Sequence, residues 1–244
     1  MDQAKIKAYL YRFKNILRNK ESLYFSQYSC KKLTLGNRSA DWTVCTEGIN
    51  QDSIVYSFGV GQEISFDLEL IKKFELKVNA FDPSPGSINW IKTQAIPVEF
   101  TFHPYGLGSK NAKVEFGFTG KSSNSSATIL NDVSDVTEYF TAEIKDLKTI
   151  MNELGHSQID ILKMDIEGAE YEVIENILNE NIQIGQFLVE FHHRFRNVGI
   201  KPTRHAVKLL KDAGFRIFNI SANGEEISFY NAILMAGATK IQRH

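Results

Sequence analysis

Acidic and imidazole side chains follow two apolar segments, at points where buried strands would end. Asp165 comes directly after the apolar segment 159–164, and Glu190 and His192 lie at the end of the segment 186–191. Because alternate residues of a strand share a face, Glu190 and His192 would point the same way, and an adjacent strand end would bring Asp165 within reach. A carboxylate–imidazole group of this kind can act as a general base or bind a divalent metal.

Both chemistries remain open for this group. In the first, Asp165 or His192 is the base and Glu190 orients the reacting groups. In the second, the three side chains hold a divalent cation such as Mg²⁺, which prefers hard oxygen ligands. We favour the metal-free version. His193 would point to the opposite side of its strand, and it is interpreted as a structural histidine.

A glycine turn and an aspartate follow two further apolar segments. The turn, FGVGQE at 58–63, lets the backbone approach a ligand closely, but Glu63 stands where a dinucleotide fingerprint has its third glycine. Asp82 comes about 23 residues after Gly59, where a carboxylate can accept hydrogen bonds from ribose hydroxyls. A carboxylate at Glu63 would repel a pyrophosphate and tolerate the sulfonium and zwitterion of S-adenosylmethionine. The pattern therefore predicts a nucleoside site for that cofactor.

Alternating strand and helix patterns position these residues. Periodicity predicts strands at 54–58, 76–81, 98–102, 114–118, 139–144, 159–164, 186–191, 215–220 and 227–234, and helices at 66–74, 88–95, 147–154, 169–178 and 205–213. Strands that alternate with helices predict right-handed βαβ units and a mainly parallel sheet. The last two strands are separated by a short turn, so they must pair antiparallel.

The N-terminal residues 1–50 are interpreted as a helical cap and lead-in segment, and 51–244 as the main domain. Residues 3–18 have apolar side chains three and four apart, which predicts an amphipathic helix. We expect it to pack on the domain with its basic face in solvent; contact with a membrane surface or a cover over the site is the alternative. Residues 26–52 are predicted to be irregular, with Trp42 and Val44 as anchors.

Composition limits the classes of partner. The 244 residues include 28 basic and 29 acidic side chains. The chain therefore lacks the overall positive charge that would favour nucleic acid as a partner. Two cysteines without a CxxC motif predict reduced thiols. No apolar run approaches the roughly 20 residues that span a bilayer, and the N-terminus lacks the apolar stretch of a signal peptide. We expect a cytoplasmic protein without stable membrane insertion; the oligomeric state is open.

The segment 159–177, IDILKMDIEGAEYEVIENI, resembles the signature of the FkbM family of methyltransferases, above all in its KMDIEGAE core. Supporting matches occur at 56–61, 80–83, 103–107 and 188–192. Residues 41–45, DWTVC, resemble a tract found in the methyltransferase-like branch of that family. The resemblance covers about residues 35–236 and leaves the first helix outside.

The resemblance implies an α/β class I methyltransferase fold, Rossmann-like, with a seven-stranded, mainly parallel sheet and an antiparallel last strand. It also implies which residues contact S-adenosylmethionine. The glycines would face its methionine part, Asp82 its ribose and the stretch after Phe102 its adenine, while Asp165 would lie beside the methyl group. Ser57 replaces an acidic residue that many class I enzymes have there. The predicted cofactor-binding set is Ser57, Gly59, Gly61, Glu63, Asp82, Pro83, His103 and Asp165.

By the same resemblance, the expected reaction is O-methylation of a hydroxyl on a sugar or natural-product small molecule. Two other functions are kept as alternatives. A nicotinamide-dependent oxidoreductase would need the complete glycine fingerprint, which this turn lacks. A non-catalytic nucleoside-binding module would keep the cofactor site and transfer nothing. The segments expected to select the acceptor are the N-terminal one and the loops 104–112 and 120–138, which contain no recognisable substrate code.

Overall fold

A computed structural model of the chain describes residues 3–37, 40–119, 127–129, 136–195, 197–231 and 234. The helices are α1 (Gln3–Leu17), α2 (Ser65–Phe74), α3 (Pro85–Ile91), α4 (Leu147–Leu154), α5 (Glu170–Asn179) and α6 (Ile200–Asp212). The strands are β1 (Lys32–Leu35), β2 (Trp42–Cys45), β3 (Ile54–Phe58), β4 (Lys77–Phe81), β5 (Phe100–His103), β6 (Gly106–Leu107), β7 (Ala112–Thr119), β8 (Ala127–Ile129), β9 (Val136–Lys145), β10 (Gln158–Met164), β11 (Gln183–Glu190), β12 (Phe215–Ile220) and β13 (Glu226–Asn231).

Within the described residues, seven strands form the main sheet, in the order β12-β13-β11-β10-β3-β4-β5. β13 runs antiparallel to both of its neighbours, while the pairs from β11 to β5 are parallel. The predicted mainly parallel sheet with an antiparallel last strand is confirmed. Strand order reverses between β3 and β10, and ligands of such sheets bind at this reversal, beyond the carboxyl ends of the strands.

Both faces of the main sheet are covered, which explains why its central strands are apolar on both sides. Side chains of α4, α5 and α6 pack against one face, in the core that contains Phe187 and Val189 of β11. The other face packs against α2 and against the hairpin of β1 and β2, in the core that contains Val55 and Leu188.

The hairpin of β1 and β2 corrects the prediction that 26–52 is irregular. Its strands have four residues each, too few for the period of two to be recognised in the sequence. Trp42 and Val44 are buried, as the sequence predicted, and they join the core of the sheet face that α2 covers. The hairpin therefore adds to the core beneath the glycine turn.

A second sheet, in the order β6-β9-β7-β8, was not predicted. The strands expected at 114–118 and 139–144 pair with each other rather than extending the main sheet. Alternation identified both strands but cannot identify the partner of a strand. Phe116, Ala142 and Ile144 form a small separate core there. Of the loop 120–138 that was expected to help select the acceptor, residues 120–126 and 130–135 lie outside the described residues.

Two helix starts differ from the prediction because of proline. α3 begins at Pro85 and ends at Ile91, earlier than the expected 88–95, with the Ser84 side chain accepting a hydrogen bond from the Ser87 backbone N–H. α6 begins at Ile200, so that Pro202 falls in its first turn instead of preceding the helix. In both helices the missing proline N–H costs nothing, because the first N–H groups of a helix have no intrahelical acceptor.

The first helix is present as predicted, but the prediction that its apolar face packs on the domain is wrong. Arg12 and Asn15 are buried, whereas Leu10, Phe13 and Leu17 are exposed. Arg12 pairs with the buried Glu21 at 2.7 Å, and Glu21 pairs in turn with Arg194 at 3.2 Å, so charge interactions rather than the apolar stripe hold the helix against the domain. None of the helices within the described ranges is long and apolar enough to cross a membrane.

Candidate functional site

A cavity of about 1570 Å³ lies at the carboxyl ends of β3, β4, β10 and β11. Most of the sequence-predicted residues border it, namely Gly59, Gly61, Glu63, Asp82, Pro83, Asp165 and Glu190. Ser57, His103 and His192 are not among its lining residues. Ser57 is buried within β3, His103 is half-buried at the end of β5, and His192 is buried after β11.

The turn after β3 needs a glycine at position 59 because two strand ends approach closely there. Gly59 has a φ of +73°, and a Cβ on it would lie 1.7 Å from the carbonyl oxygen of Asp165. The backbone N–H of Asp165 donates to the carbonyl of Phe58 at 3.2 Å. Gly61 also has a positive φ, and a Cβ on it would meet no atom of the described part of the chain within 4 Å. The turn therefore holds Asp165 against the glycine backbone.

Asp82 ties the glycine turn to the start of α3. One carboxylate oxygen accepts from the Gly61 N–H at 2.8 Å, and the other accepts from the Ser84 N–H at 2.8 Å and its hydroxyl at 2.6 Å. A carboxylate has about four acceptor positions, so one remains for a ligand. Asp82 is buried yet borders the cavity, where a ribose hydroxyl could reach that position.

Of two further residues predicted to bind the cofactor, Glu63 borders the cavity and His103 does not. Glu63 accepts hydrogen bonds from the Ser65 N–H at 2.8 Å and from Asn37 at 3.1 Å. Partial burial raises the pKa of Glu63, but these hydrogen bonds outweigh it and leave the pKa lowered. The His103 ring stacks on Phe81 at 4.6 Å, and burial lowers the pKa of His103. His103 is therefore neutral near neutral pH.

The structure brings the catalytic candidates together around one imidazole. His192 Nε2 lies 3.5 Å from Asp165 Oδ1 and 3.6 Å from Glu167 Oε2, and its Nδ1 lies 3.4 Å from Glu170 Oε1. The fully buried Glu170 also accepts from the backbone N–H groups of His192 at 2.8 Å and Gly168 at 2.9 Å. The turn after β10 and the end of β11 are thus fixed to each other.

Charges around His192 decide its protonation. Burial alone would lower the pKa of His192, but the carboxylates of Glu170, Asp165 and Glu167 raise it to about 9. Burial, followed by the charge of Asp165, raises the pKa of Glu190 to about 8. Near neutral pH, His192 is therefore an imidazolium and Glu190 holds a proton. Of the two predicted bases, Asp165 is the one that faces the cavity as an acceptor.

The same residues have the composition of a divalent metal site. One donor atom each from Asp165, Glu190 and His192 lies within 4.8 Å of the other two. Two carboxylates and an imidazole suit a hard cation such as Mg²⁺ or a transition metal. Since His192 carries a proton in this arrangement, a bound cation would have to displace it.

Two residues that border the cavity, Asp67 and Lys163, are not among the site residues predicted from the sequence. Both side chains are buried and border the cavity beneath the glycine turn. A signal for Asp67 existed, because it lies in the apolar stripe of α2 formed by Phe66, Leu70 and Ile71. A charged residue within a buried stripe is rarely there for packing alone.

Comparison with known proteins supports the resemblance seen in the sequence. A sequence profile of the methyltransferase FkbM domain matches residues 43–217. This range covers well over half of the chain and contains Gly59, Asp82, Asp165 and Glu190. The chain belongs to the FkbM methyltransferase family. The KMDIEGAE core of this FkbM domain forms the end of β10 and the tight turn into α5.

Curated relatives of this FkbM domain are named "Probable methyltransferase-like protein 24". The human protein is 24% identical over 220 residues, which cover 80% of this chain and 54% of the human one. The rat protein is 35% identical over 85 residues, which cover 31% of this chain and 23% of the rat one. The chain thus spans about half the length of its human relative.

Among solved structures, the FkbM domain is similar to fibrillarin from Aeropyrum pernix, crystallised with natively bound S-adenosyl-L-methionine. The TM-score is 0.39 at 11% sequence identity, and the match covers 74% of this chain and 66% of fibrillarin.

Proposed function

We propose that this FkbM domain transfers a methyl group from S-adenosylmethionine to a hydroxyl oxygen of a small-molecule or carbohydrate acceptor. The observation that carries the proposal is the shared cavity. The glycine turn and Asp82, which follow β3 and β4, border this cavity. Asp165 and Glu190, at the ends of β10 and β11, also border it, and these two strands lie on the other side of β3 in the sheet. A nucleoside bound at the first group would have its reactive end next to the second.

In one half of the cavity, the residues have groups that would bind the cofactor and orient it. Asp82 keeps one acceptor position for a ribose hydroxyl, and its other positions hold the glycine turn in place. Gly61 leaves open space on the cavity side of the turn. Pro83 and the segment of β6 border the same region and offer apolar surface for an adenine ring.

When bound, S-adenosylmethionine supplies the activated methyl group on its sulfonium. Transfer would form a bond from that methyl carbon to the acceptor oxygen and break its bond to sulfur, leaving S-adenosylhomocysteine. An alcohol is a weak nucleophile near neutral pH, so its proton must be removed as the new bond forms. In this proposal Asp165, which borders the cavity, takes that proton, and the imidazolium of His192, 3.5 Å from Asp165 Oδ1, holds the carboxylate in position. Glu190, protonated, orients the acceptor oxygen by donating a hydrogen bond.

Other readings of the site are weaker. A nicotinamide oxidoreductase would place a pyrophosphate at the glycine turn, where the Glu63 carboxylate lines the cavity and would repel it. Balanced charge favours a small neutral acceptor over nucleic acid. Cytoplasmic localisation stays a prediction of the sequence.

A substrate panel tests the proposal. The purified protein is incubated with S-adenosylmethionine and hydroxylated sugars, hydroxylated natural products, amines and an oligonucleotide, and S-adenosylhomocysteine release is measured. We expect S-adenosylhomocysteine release with a hydroxylated acceptor. We expect no release with amines or with the oligonucleotide. Cofactor binding with no transfer to any acceptor would instead indicate a non-catalytic nucleoside-binding module.

A further inference from the structure

A buried lysine and a buried aspartate lie on the same face of the main sheet, beneath the glycine turn. Lys163 of β10 is paired in register with Ser57 of β3, so the two side chains point to the same face. α2 covers that face and brings Asp67 onto it. Lys163 is 5% exposed and Asp67 1% exposed, yet both border the cavity.

Each of the two charged groups has unused hydrogen-bonding capacity. Lys163 Nζ donates to the carbonyl oxygens of Phe58 at 3.2 Å and Gly59 at 3.3 Å. An ammonium has three N–H groups, and within the described residues the third one has no hydrogen-bond acceptor. Likewise, Asp67 Oδ1 is buried, and among the described residues no donor meets it with full hydrogen-bond geometry, the Ser57 hydroxyl being close enough only to lower the pKa of Asp67. A buried donor or acceptor without a hydrogen-bond partner lowers the stability of the fold unless a ligand supplies the partner.

The two charges do not satisfy each other directly. Lys163 and Asp67 interact electrostatically, but these two residues form no direct ion pair. Burial raises the pKa of Asp67 to about 6, although the Lys163 charge and the nearby Ser57 hydroxyl oppose this rise. Asp67 is therefore ionised near neutral pH. The result is a separated positive and negative charge at the edge of a cavity.

We propose that Lys163 and Asp67 form the subsite for the zwitterionic amino-acid end of S-adenosylmethionine. The Lys163 ammonium binds the α-carboxylate, and the Asp67 carboxylate binds the α-ammonium. This inference rests on the proposed function, since it requires the cofactor to lie along the glycine turn. It gives α2 the role of supplying negative charge on a face where strand position 57 offers only a hydroxyl.

The neighbouring residues fit this role. The two carbonyls that hold Lys163 belong to the start of the glycine turn, so the ammonium and the turn are placed together. The Trp42 ring lies 5.0 Å from Lys163 Nζ and covers it on one side. If Lys163 only donated to these carbonyls, its role would be to stabilise the turn. Its loss would then weaken the binding of every nucleoside ligand equally.

Two ligands separate the subsite from the rest of the cofactor site. S-adenosylhomocysteine and 5′-methylthioadenosine share adenine, ribose and a neutral thioether, and only the first has the zwitterion. Calorimetry should show that the wild-type protein binds S-adenosylhomocysteine at least about 10-fold more tightly, because charge-assisted hydrogen bonds add to the shared contacts. Asp67→Asn and Lys163→Met should each lower S-adenosylhomocysteine affinity about 10-fold and change 5′-methylthioadenosine affinity by less than about 2-fold.

Glu69→Gln is the matched control, because Glu69 is an exposed carboxylate on the same helix and should leave both affinities unchanged. If Lys163→Met fails to fold, the nearly isosteric Asp67→Asn carries the test. Equal losses for both ligands, or unchanged S-adenosylhomocysteine affinity in Asp67→Asn, would overturn the subsite. Equal wild-type affinity for both ligands would also overturn it and leave the proposed function standing. Binding of neither ligand by the wild-type protein would overturn both.

Discussion

The carboxylate of Glu170 accepts a hydrogen bond from the backbone N–H of His192 at 2.8 Å, across the gap between α5 and the end of β11. Its second oxygen accepts from the Gly168 N–H at 2.9 Å. The fully buried Glu170 thereby joins the turn that carries Asp165 to the residue whose imidazole faces that aspartate. Together with the pairing of β10 and β11, this side chain fixes the relative position of the catalytic candidates.

Glu170→Gln should destabilise the fold measurably. An amide has only one acceptor oxygen, so its NH₂ group would face one of the two backbone donors, and His192 would lose its closest negative charge. We expect the free energy of unfolding to fall by about 2 kcal/mol, the order reported for buried hydrogen bonds to charged groups. Urea denaturation measures this change. Glu180→Gln, at the exposed end of α5, is the control and should leave stability unaltered.

The raised pKa of His192 predicts how stability depends on pH. The group binds its proton more tightly when folded, with a pKa of about 9 against an ordinary value of 6.5. Its contribution is complete below 6.5 and is lost as the pH rises through 9. Glu190, with its pKa raised to about 8, contributes a loss of the same sign between 4.5 and 8. The free energy of unfolding should therefore decrease from pH 6.5 to 9.

His192→Gln should flatten this decrease in urea denaturation series, because it removes the group that titrates. His205 has an exposed imidazole, and His205→Gln should leave the slope as it is in the wild-type protein. A wild-type stability that stays level or rises over this interval would show that His192 is not held as an imidazolium.

Gly59→Ala should be far more damaging than the same change at Gly155. Both glycines have a φ of +73°, and Gly155, with a ψ of 26°, lies in the left-handed region that alanine can adopt at modest cost. At position 59 the new Cβ would in addition collide with a backbone atom, the Asp165 carbonyl oxygen at 1.7 Å. We expect about 1 kcal/mol of destabilisation at Gly155 and several-fold more at Gly59, measured by thermal unfolding. Similar effects at both positions would contradict the close approach of the strand ends.

The catalytic assignment gives a paired test of base and metal mechanisms. Asp165→Asn should lower turnover about 100-fold or more, because the amide cannot accept the proton of the acceptor. His192→Ala should lower it as well by releasing the carboxylate. Chelator treatment should leave wild-type turnover unchanged. Loss of activity with chelator and recovery with Mg²⁺ would favour the metal site, and near-normal turnover in both variants would exclude the assignment.

Much of the site was accessible from the sequence because strand ends are easy to recognise. Asp82, Asp165 and Glu190 each lie at the end of a strongly apolar strand. In a parallel sheet all these ends lie at one edge, so placing the strands in order places the side chains near one cavity. The glycine at position 59 was also identifiable, although its reason, the approach of Asp165, was not.

The missed features depend on which surfaces meet, and a single sequence does not specify this. The apolar stripe of the first helix predicted a packed face, yet the ion pair of Arg12 with Glu21 turns the opposite face inward. Asp67 borders the cavity next to Lys163 only because α2 packs over β10, and the sequence positions of these two elements are far apart. The pairing of β7 with β9 likewise joins strands separated by a segment with no readable pattern.

The most direct test of the proposed cofactor site is a crystal structure of the protein with S-adenosylhomocysteine. We predict that the ribose hydroxyls lie within hydrogen-bonding distance of Asp82 and that the thioether sulfur faces Asp165 across the carboxyl ends of β3 and β10. Ligand density elsewhere on the protein, or none at saturating concentration, would contradict a methyltransferase site in this cavity.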